Sequence, residues 1–492
     1  PVVTFGIFKA GCVLVNTNPL YTLPEMVHQF NDAGVKALVV VDMFADKLPA
    51  VLEQTGIKHL VLSDVSAFFP TIPRAIVRGV QKVWNRVLPP VTVPHVRLAE
   101  ALRQGQVSLQ KTPAKTYWQD LQAQDLALLQ YTGGTTGVSK GAMLSNGNLL
   151  SNVQQMQAMG ASHMTPGADC VLTALPLYHI FAFTTNLLGF LAQGAHNILI
   201  PSPRPVQNLQ RAVENYPVTW ITGVNTLYNG LLNEEWFVAY PPRHLKASIA
   251  GGTALHGAVA RRWREVTRTP IAEGYGLTET APVVSFNPLR GDPQLGCIGI
   301  PVPDTDVRLV SDSGADVAPG EPGEIWVRGP QVMQGYWRRP EETAQVMSEG
   351  WLATGDVAVM DAQGFMRIVD RKKDLILVSG FNVYPNEVED VVAQLDSVLE
   401  VAVIGVPDEQ TGEGVRAYVV ANPDHVGGLR PEDVIAHCKT QLAAYKVPRK
   451  VVLRDELPKS PIGKVLRKDL KAEVKAETQD TRPAPASTTT HA

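Results

Sequence analysis

The chain has 492 residues, too many for one compact core, so two or more domains are expected. Apolar residues make up 45% and charged residues 18%, which excludes a disordered chain, and a net charge of −3 removes any bulk electrostatic pull on nucleic acid. Cys12, Cys170, Cys297 and Cys438 lie too far apart for a CxxC or zinc spacing, which fits a reducing cytoplasm, and no apolar run is long enough to span a membrane.

Residues 1–11 carry no basic n-region and read as the middle of a helix ending at Gly11, not as a signal peptide. Cys12-Val13-Leu14-Val15 reads as a strand, residues 24–33 as a helix with Thr22 as its cap, and Ala37-Leu38-Val39-Val40-Val41 and His59-Leu60-Val61-Leu62 as further strands. Short apolar strands alternating with helices predict a parallel α/β sheet. Residues 66–118 are rich in proline and basic side chains with weak periodicity, and read as a helical excursion plus loop.

Leu126-Ala127-Leu128-Leu129 fits a buried strand. It leads into Tyr131-Thr132-Gly133-Gly134-Thr135-Thr136-Gly137-Val138-Ser139-Lys140-Gly141, and Ser145 or Asn146 stands ready to cap a following helix. Four glycines in eleven positions let the backbone turn tightly and aim several N–H groups into one concavity. Three threonines, a serine and Lys140 add hydroxyls and positive charge, which suits an anion such as a nucleotide triphosphate. A Walker A loop is excluded, because Lys140 follows Ser139 and no glycine pair has the required spacing. Gly137-Val138-Ser139-Lys140-Gly141 matches the hydrolase elbow pattern, although an elbow needs its strand to end at the serine and the apolar run stops about eight residues earlier.

Leu175-Pro176-Leu177-Tyr178-His179 leaves an apolar strand, so His179 is expected where a loop departs from the sheet, the usual ligand side of an open α/β sheet. Residues 180–260 mix aromatics with small residues such as Gly189, Gly223, Gly251 and Gly252; this fits space for an apolar ligand or simply dense packing. Glu273-Gly274-Tyr275-Gly276-Leu277-Thr278-Glu279-Thr280 fails the Rossmann fingerprint and reads as a tight turn. Tyr275 is suited to stack on a purine, Thr278 to donate to a phosphate and Glu279 to hold magnesium.

Residues 296–369 read as a β-rich subdomain in which Trp351-Leu352-Ala353-Thr354-Gly355-Asp356 ends a strand on a carboxylate able to accept ribose hydroxyls or to serve as a turn aspartate. Asp370-Arg371-Lys372-Lys373-Asp374 interrupts the apolar pattern and marks a domain boundary. Strands at 398–405 and 415–420 and helices at 386–394 and 431–444 then make an α+β domain of about 100 residues. Two prolines and Gly463 set a loop that presents Lys464, and from Lys475 the composition reads as a disordered tail.

The loop at 131–141, His179, the turn at 274–280, Thr354-Gly355-Asp356, Asp370-Arg371 and Lys464 occur in the order seen in the adenylate-forming enzymes. Over residues 1–470 the chain most resembles the bacterial long-chain fatty acyl-CoA synthetases, without the N-terminal segment that family usually carries. The resemblance implies an α/β fold: a large N-terminal domain of layered α/β subdomains plus a β-rich subdomain (1–369), a hinge (370–375), a small mobile C-terminal α+β lid domain (376–475) and a tail (476–492). It implies ATP-dependent activation of a long-chain fatty acid to an acyl-adenylate, followed by thioester formation with CoA, with Mg2+ as cofactor. Thr132, Gly133, Gly134, Thr135, Thr136, Gly137 and Lys140 would hold phosphates, and Glu279 with Thr132 the metal. Gly251, Gly252, Tyr275, Gly276 and Thr278 would surround the nucleotide, and Asp356 and Arg371 would bind ribose. Lys464 would bridge carboxylate and α-phosphate, and the catalytic set would be Lys464, Glu279, Thr132 and His179. Tyr228 stands where some relatives place a tunnel gate. Partners would be small molecules rather than nucleic acid, in a cytoplasmic protein with peripheral contact at the inner face of the membrane and room for a homodimer. Two other classes remain: a serine hydrolase using Ser139, and an inactive truncated acyl-binding protein.

Overall fold

Short, mostly apolar runs become the central strands of the chain, and Cys170–Thr173 and Trp220–Gly223 are buried at every position, as expected where both faces of a parallel sheet are covered. The computed structural model describes residues 1–132, 139–289, 293–372, 374–379, 381–408, 410–422, 428–460 and 463–480. Two compact units divide them: Pro1–Ser151 with Thr278–Ala281 and Gln331–Gln345, and Asn152–Leu277 with Pro282–Pro330 and the chain from Val346 onward.

In the first unit, the opening helix Val2–Lys9 is followed by Gly11 at a φ of 66°, the left-handed turn that a glycine tolerates. The helix Leu23–Ala33 begins where the Glu25 carboxylate accepts from the Thr22 backbone N–H at 2.7 Å, and it stops at Gly34 with a φ of 67°. The strands Ala37–Val41, His59–Ser63 and Val96–Arg97 pair in parallel. A second sheet sets Leu14–Asn16 parallel to Leu126–Thr132, which runs antiparallel to Lys140–Ser145. Ser145 then caps the helix Asn146–Gly160 by exchanging hydrogen bonds with Asn148. Because Ser139 is followed by a strand rather than a helix, the elbow geometry of a serine hydrolase is not formed.

The second unit holds a seven-stranded sheet in the order Ile300–Pro301, Val283–Phe286, Ile271–Gly276, Ala247–Ala250, Trp220–Gly223, Cys170–Thr173 and His196–Leu199. The last five named are parallel. The helices Gln210–Asn215, Asn225–Leu232 and Gly257–Thr267 bury Val213, Leu231 and Trp263 against one face, while Phe190 and Trp220 pack on the other. An antiparallel sheet of Asp306–Val310, Gly323–Arg328, Met347–Ser348, Trp351–Met360 and Met366–Arg371 is the expected β-rich part. The strand there does not end at Asp356. It continues to Met360, with Gly355 at a φ of 73° bending it in the middle.

The C-terminal residues build their own sheet from Ile376–Val378, Phe381–Val383, Val398–Asp408, Gly412–Ala421 and Lys450–Arg454. Val388, Val392, Val434 and Cys438 of the helices Pro385–Val392 and Pro431–Gln441 fill one side. Leu470 and Val474 of Arg467–Asp480 fill the other. That last helix runs beyond Lys475, where the composition placed the start of a tail, because Leu470 and Val474 give it a buried face.

Candidate active site

In the first unit the site grows from the pairing of Thr132 with Lys140 across two antiparallel strands. Gly141 sits against Tyr131: a Cβ there would come within 3.1 Å of the phenol ring. Tyr131 is in turn fixed by donating its hydroxyl to Asp32 at 2.6 Å, and burial together with that carboxylate raises its pKa. His28 Nε2 lies 3.2 Å from the Ser139 carbonyl. Residues 133–137, the expected phosphate cradle of Gly133, Gly134, Thr135, Thr136 and Gly137, lie outside the described residues.

Beside Lys140–Ser145 the segment around residue 335 is laid down like an added strand. Met143 N–H donates to the Gly335 carbonyl at 2.9 Å, and Trp337 N–H to that of Gly141 at 2.8 Å. Tyr336 is thereby delivered between two predicted site residues. Lys140 Nζ stands 5.2 Å from the centre of its ring, and its hydroxyl donates to Glu279 Oε1 at 2.7 Å. Burial, then the Glu279 charge, raises the Tyr336 pKa, so the phenol stays a donor. Sequence reasoning missed Tyr336, because a neutral residue in Gln334-Gly335-Tyr336-Trp337 carries no charge or glycine pattern that points to a site. Glu279 lies in the one-turn helix Thr278–Thr280.

Among the described residues no group of three or more His, Cys, Asp or Glu side chains could hold a metal by itself. Glu279 keeps its Oε2 and stands in the same unit as the Thr132 hydroxyl. Such a sparse oxygen set suits magnesium, which is usually held by one or two carboxylates with phosphate and water supplying the rest.

In the second unit, Tyr275 donates its hydroxyl to Asp356 Oδ2 at 2.7 Å, and Arg371 Nε meets Asp356 Oδ1 at 3.0 Å. Asp356 is only 5% exposed, and the strand register sets it opposite Arg371. Each oxygen therefore has one protein partner and one further lone pair, an arrangement able to take two vicinal hydroxyls. Gly276 serves the turn itself, since a Cβ there would lie 1.8 Å from the Pro282 carbonyl oxygen. Gly252 adopts a φ of 77° with open space beyond it. At Gly251 a Cβ would stand 3.2 Å from the Gly274 carbonyl and 3.4 Å from the Phe181 ring. The absent side chain thus seats Phe181.

Phe181 N–H donates to His179 Nδ1 at 3.3 Å, so His179 caps the short helix Ile180–Ala182 and carries its ring proton on Nε2. Burial first, then the nearby charge of Lys464, lowers the His179 pKa to about 4. Lys464 comes from the loop after Pro458. Ser460 Oγ accepts from its N–H at 3.1 Å, and a Cβ on Gly463 would fall 2.7 Å from Thr226 Oγ1 and 2.8 Å from Arg204 Nη2. The C-terminal loop therefore lies just past the carboxyl end of Trp220–Gly223. Tyr228, the expected tunnel gate, is fully buried: it donates to the carbonyls of Ile249 at 2.7 Å and Ile221 at 3.1 Å and packs edge-on to Trp263.

The family model described as AMP-binding enzyme matches residues 1–337, and that of the AMP-binding enzyme C-terminal domain matches residues 387–464. The long-chain-fatty-acid–CoA ligase of Yersinia pestis is 48% identical over 98% of this chain and 84% of its own. The ligase of the same description from Bacillus subtilis is 36% identical over 95% of this chain and 82% of its own. Among solved structures, ATP-bound MatB from Rhodopseudomonas palustris superposes with a TM-score of 0.79 at 30% identity, covering 96% of this chain and 86% of that one.

Proposed function

We infer the reaction in detail from one premise: this chain belongs to the AMP-binding enzyme family. It is an acid–thiol ligase that uses ATP to activate a long-chain fatty acid and then joins the acyl group to CoA, forming AMP and pyrophosphate. A carboxylate oxygen attacks the α-phosphorus and pyrophosphate leaves. The CoA sulfur then attacks the acyl carbonyl, its thiol proton is lost, and AMP leaves.

Both reactants of the first step are anions, so the protein must supply positive charge and N–H donors where they meet. Thr132, Lys140 and the residues 133–137 between them are assigned to the β,γ-phosphates, with Thr278 as a further donor. Glu279 is oriented by the Tyr336 hydroxyl and, with Thr132, holds magnesium; the ion supplies charge neutralisation on the phosphates when bound. Tyr275, with its hydroxyl tied to Asp356, keeps a ring face for adenine beside Gly251, Gly252 and Gly276, and Asp356 and Arg371 take the ribose hydroxyls. His179, neutral at physiological pH, adds an Nε2–H donor without adding charge. Lys464 joins the fatty carboxylate to the α-phosphate as a compact point charge.

The observation that carries this reading is the seating of the loop before Lys464, with Gly463 tight against Thr226 and Arg204, at the carboxyl end of the parallel strand Trp220–Gly223. Residues 370–375 are assigned as the hinge. Asp370 there is fully buried and accepts from the backbone N–H groups of Arg371 at 2.7 Å and Asn386 at 3.0 Å, which gives the chain a fixed pivot at the point of rotation. After the first step a turn there withdraws Lys464 and brings residues 379–384 toward CoA. Work at the cytoplasmic face of a membrane fits a substrate that partitions into bilayers and a chain in which no described helix can cross one.

The deciding assay is fatty-acid-dependent pyrophosphate release from ATP, with and without CoA, on the wild type and Ser139→Ala. Release that needs fatty acid and yields acyl-CoA only with CoA is expected, with Ser139→Ala still active. Ester cleavage without ATP, lost in Ser139→Ala, would favour a hydrolase, and fatty-acid binding without release an inactive binder.

A further inference from the structure

Residues 65–99 contain five basic side chains, Arg74, Arg78, Lys82, Arg86 and Arg97, and no acidic one. Within them the helix Thr71–Gly79 continues into a wider turn at Val80–Trp84. Its polar side faces the protein. Arg74 meets the buried Asp64 at 2.7 Å, Arg78 meets the buried Asp42 at 2.6 Å, and Gln81 is buried against Met43. Its apolar side faces water: Ile72 is 74%, Val83 73% and Trp84 83% exposed, with Ile76 and Val80 exposed between them and Phe68 and Phe69 just before.

Ile72, Ile76 and Val80 recur every four residues, so they form one stripe. A continuous apolar row of this kind in water marks an interaction surface. Lys82 and Arg86 are exposed beside it.

We propose that residues 68–87 are a membrane-docking face that lies on a bilayer bearing anionic headgroups. The aliphatic row and Trp84 sink to the level of the upper acyl chains, and Lys82 and Arg86 meet lipid phosphates. The charge pattern selects lipid as the occupant: Arg74, Arg78 and Arg97 are paired with Asp64 and Asp42, whereas Lys82 and Arg86 stand exposed beside the apolar row with no carboxylate in residues 68–87, which complements a phosphate-bearing surface. Trp84 suits the boundary between headgroup and chain, where an aromatic ring with one polar N–H is at home. The two arginine–aspartate pairs hold the helix to the domain by its polar side, which leaves the apolar row unburied by design of the packing. The proposal rests on the ligase reading only in that the substrate is itself a lipid.

The test is co-sedimentation of the full chain with phosphatidylcholine vesicles, with or without phosphatidylglycerol. The wild type, Ile72→Asp/Ile76→Asp and Lys82→Glu/Arg86→Glu are compared. The wild type is expected to bind phosphatidylglycerol vesicles and to be released by salt. The isoleucine variant is expected to lose at least about tenfold in affinity, and the charge variant to lose its preference for phosphatidylglycerol. All four side chains are exposed, so both variants should keep the wild-type melting temperature and the wild-type pyrophosphate release from detergent-dispersed fatty acid. A wild type that binds no vesicles, or an isoleucine variant that binds as well as wild type, overturns the proposal. A change only from dimer to monomer would assign the face to a second copy instead. Loss of pyrophosphate release in the wild type would strike the ligase reading while leaving the vesicle result intact.

Discussion

In the helix Gly257–Thr267, Val259, Ala260 and Trp263 face the core of the seven-stranded sheet, while Arg261, Arg262 and Arg264 are exposed. In Thr71–Gly79 the arrangement is reversed: Arg74 and Arg78 turn inward and Ile72 and Ile76 turn out. Both helices have a polar and an apolar side, so the pattern alone does not say which side is core. What decides is the partner on offer. An apolar sheet face accepts Trp263, and two buried carboxylates, Asp42 and Asp64, accept the arginines. A buried aspartate without its cation is costly, and this cost fixes the orientation of the second helix.

The contrast is sharpest at Trp263, which is fully buried between Tyr228 and Phe237. Trp263→Ala is expected to lower stability by about 3–5 kcal/mol in denaturant melts, and a loss below about 1 kcal/mol would mean that this face is not the core. Asp42→Ala removes the partner of Arg78 and should cost about 1–2 kcal/mol, with faster protease cleavage within residues 71–84 than in wild type. Unchanged cleavage would show that the helix is held by something other than its polar side.

Glu273 sharpens the comparison from the buried-charge side. It accepts from the Leu255 N–H at 3.2 Å, just ahead of the helix Gly257–Thr267, and burial raises its pKa from 4.5 to about 8. A carboxyl raised on folding stabilises fully below its unfolded pKa, and that stability is lost as pH climbs through the folded value. The melting temperature should therefore fall, on the order of a few degrees, between about pH 5 and pH 8, and Glu273→Gln should flatten that slope. The smallest effect belongs to the outward row: Ile76→Ser should change stability by no more than about 0.5 kcal/mol, because Ile76 has no core to leave.

Much of the architecture could be read from particular residues. Ala37–Val41 and His59–Ser63 are apolar runs and became strands, and Thr22, Glu25 and Gly34 bracket a helix with its own capping chemistry. Contacts made between distant segments were not legible. Tyr336 reaches Glu279 only because the chain near residue 335 is hydrogen-bonded alongside Lys140–Ser145. Tyr228 follows the strand end closely in sequence, yet the helix turns it under the sheet, and nothing in the residue order tells which way it points. Asp356 reads as a strand end because Thr354-Gly355-Asp356 has turn composition, whereas the left-handed Gly355 bends the strand and lets the ladder go on. The outward row of residues 72–84 was hidden for the reason the two helices illustrate: periodicity marks a face without saying what lies against it.

The central claim is that Lys464 brings the charge that lets two anions react, and that it acts in the first step alone. Lys464→Ala should be followed in two separate assays: fatty-acid-dependent exchange of pyrophosphate into ATP, and acyl-CoA formation from pre-made acyl-adenylate. The account predicts a fall of about 100-fold or more in the exchange, with thioester formation close to wild type. Wild-type exchange in the variant, or equal losses in both assays, would contradict it.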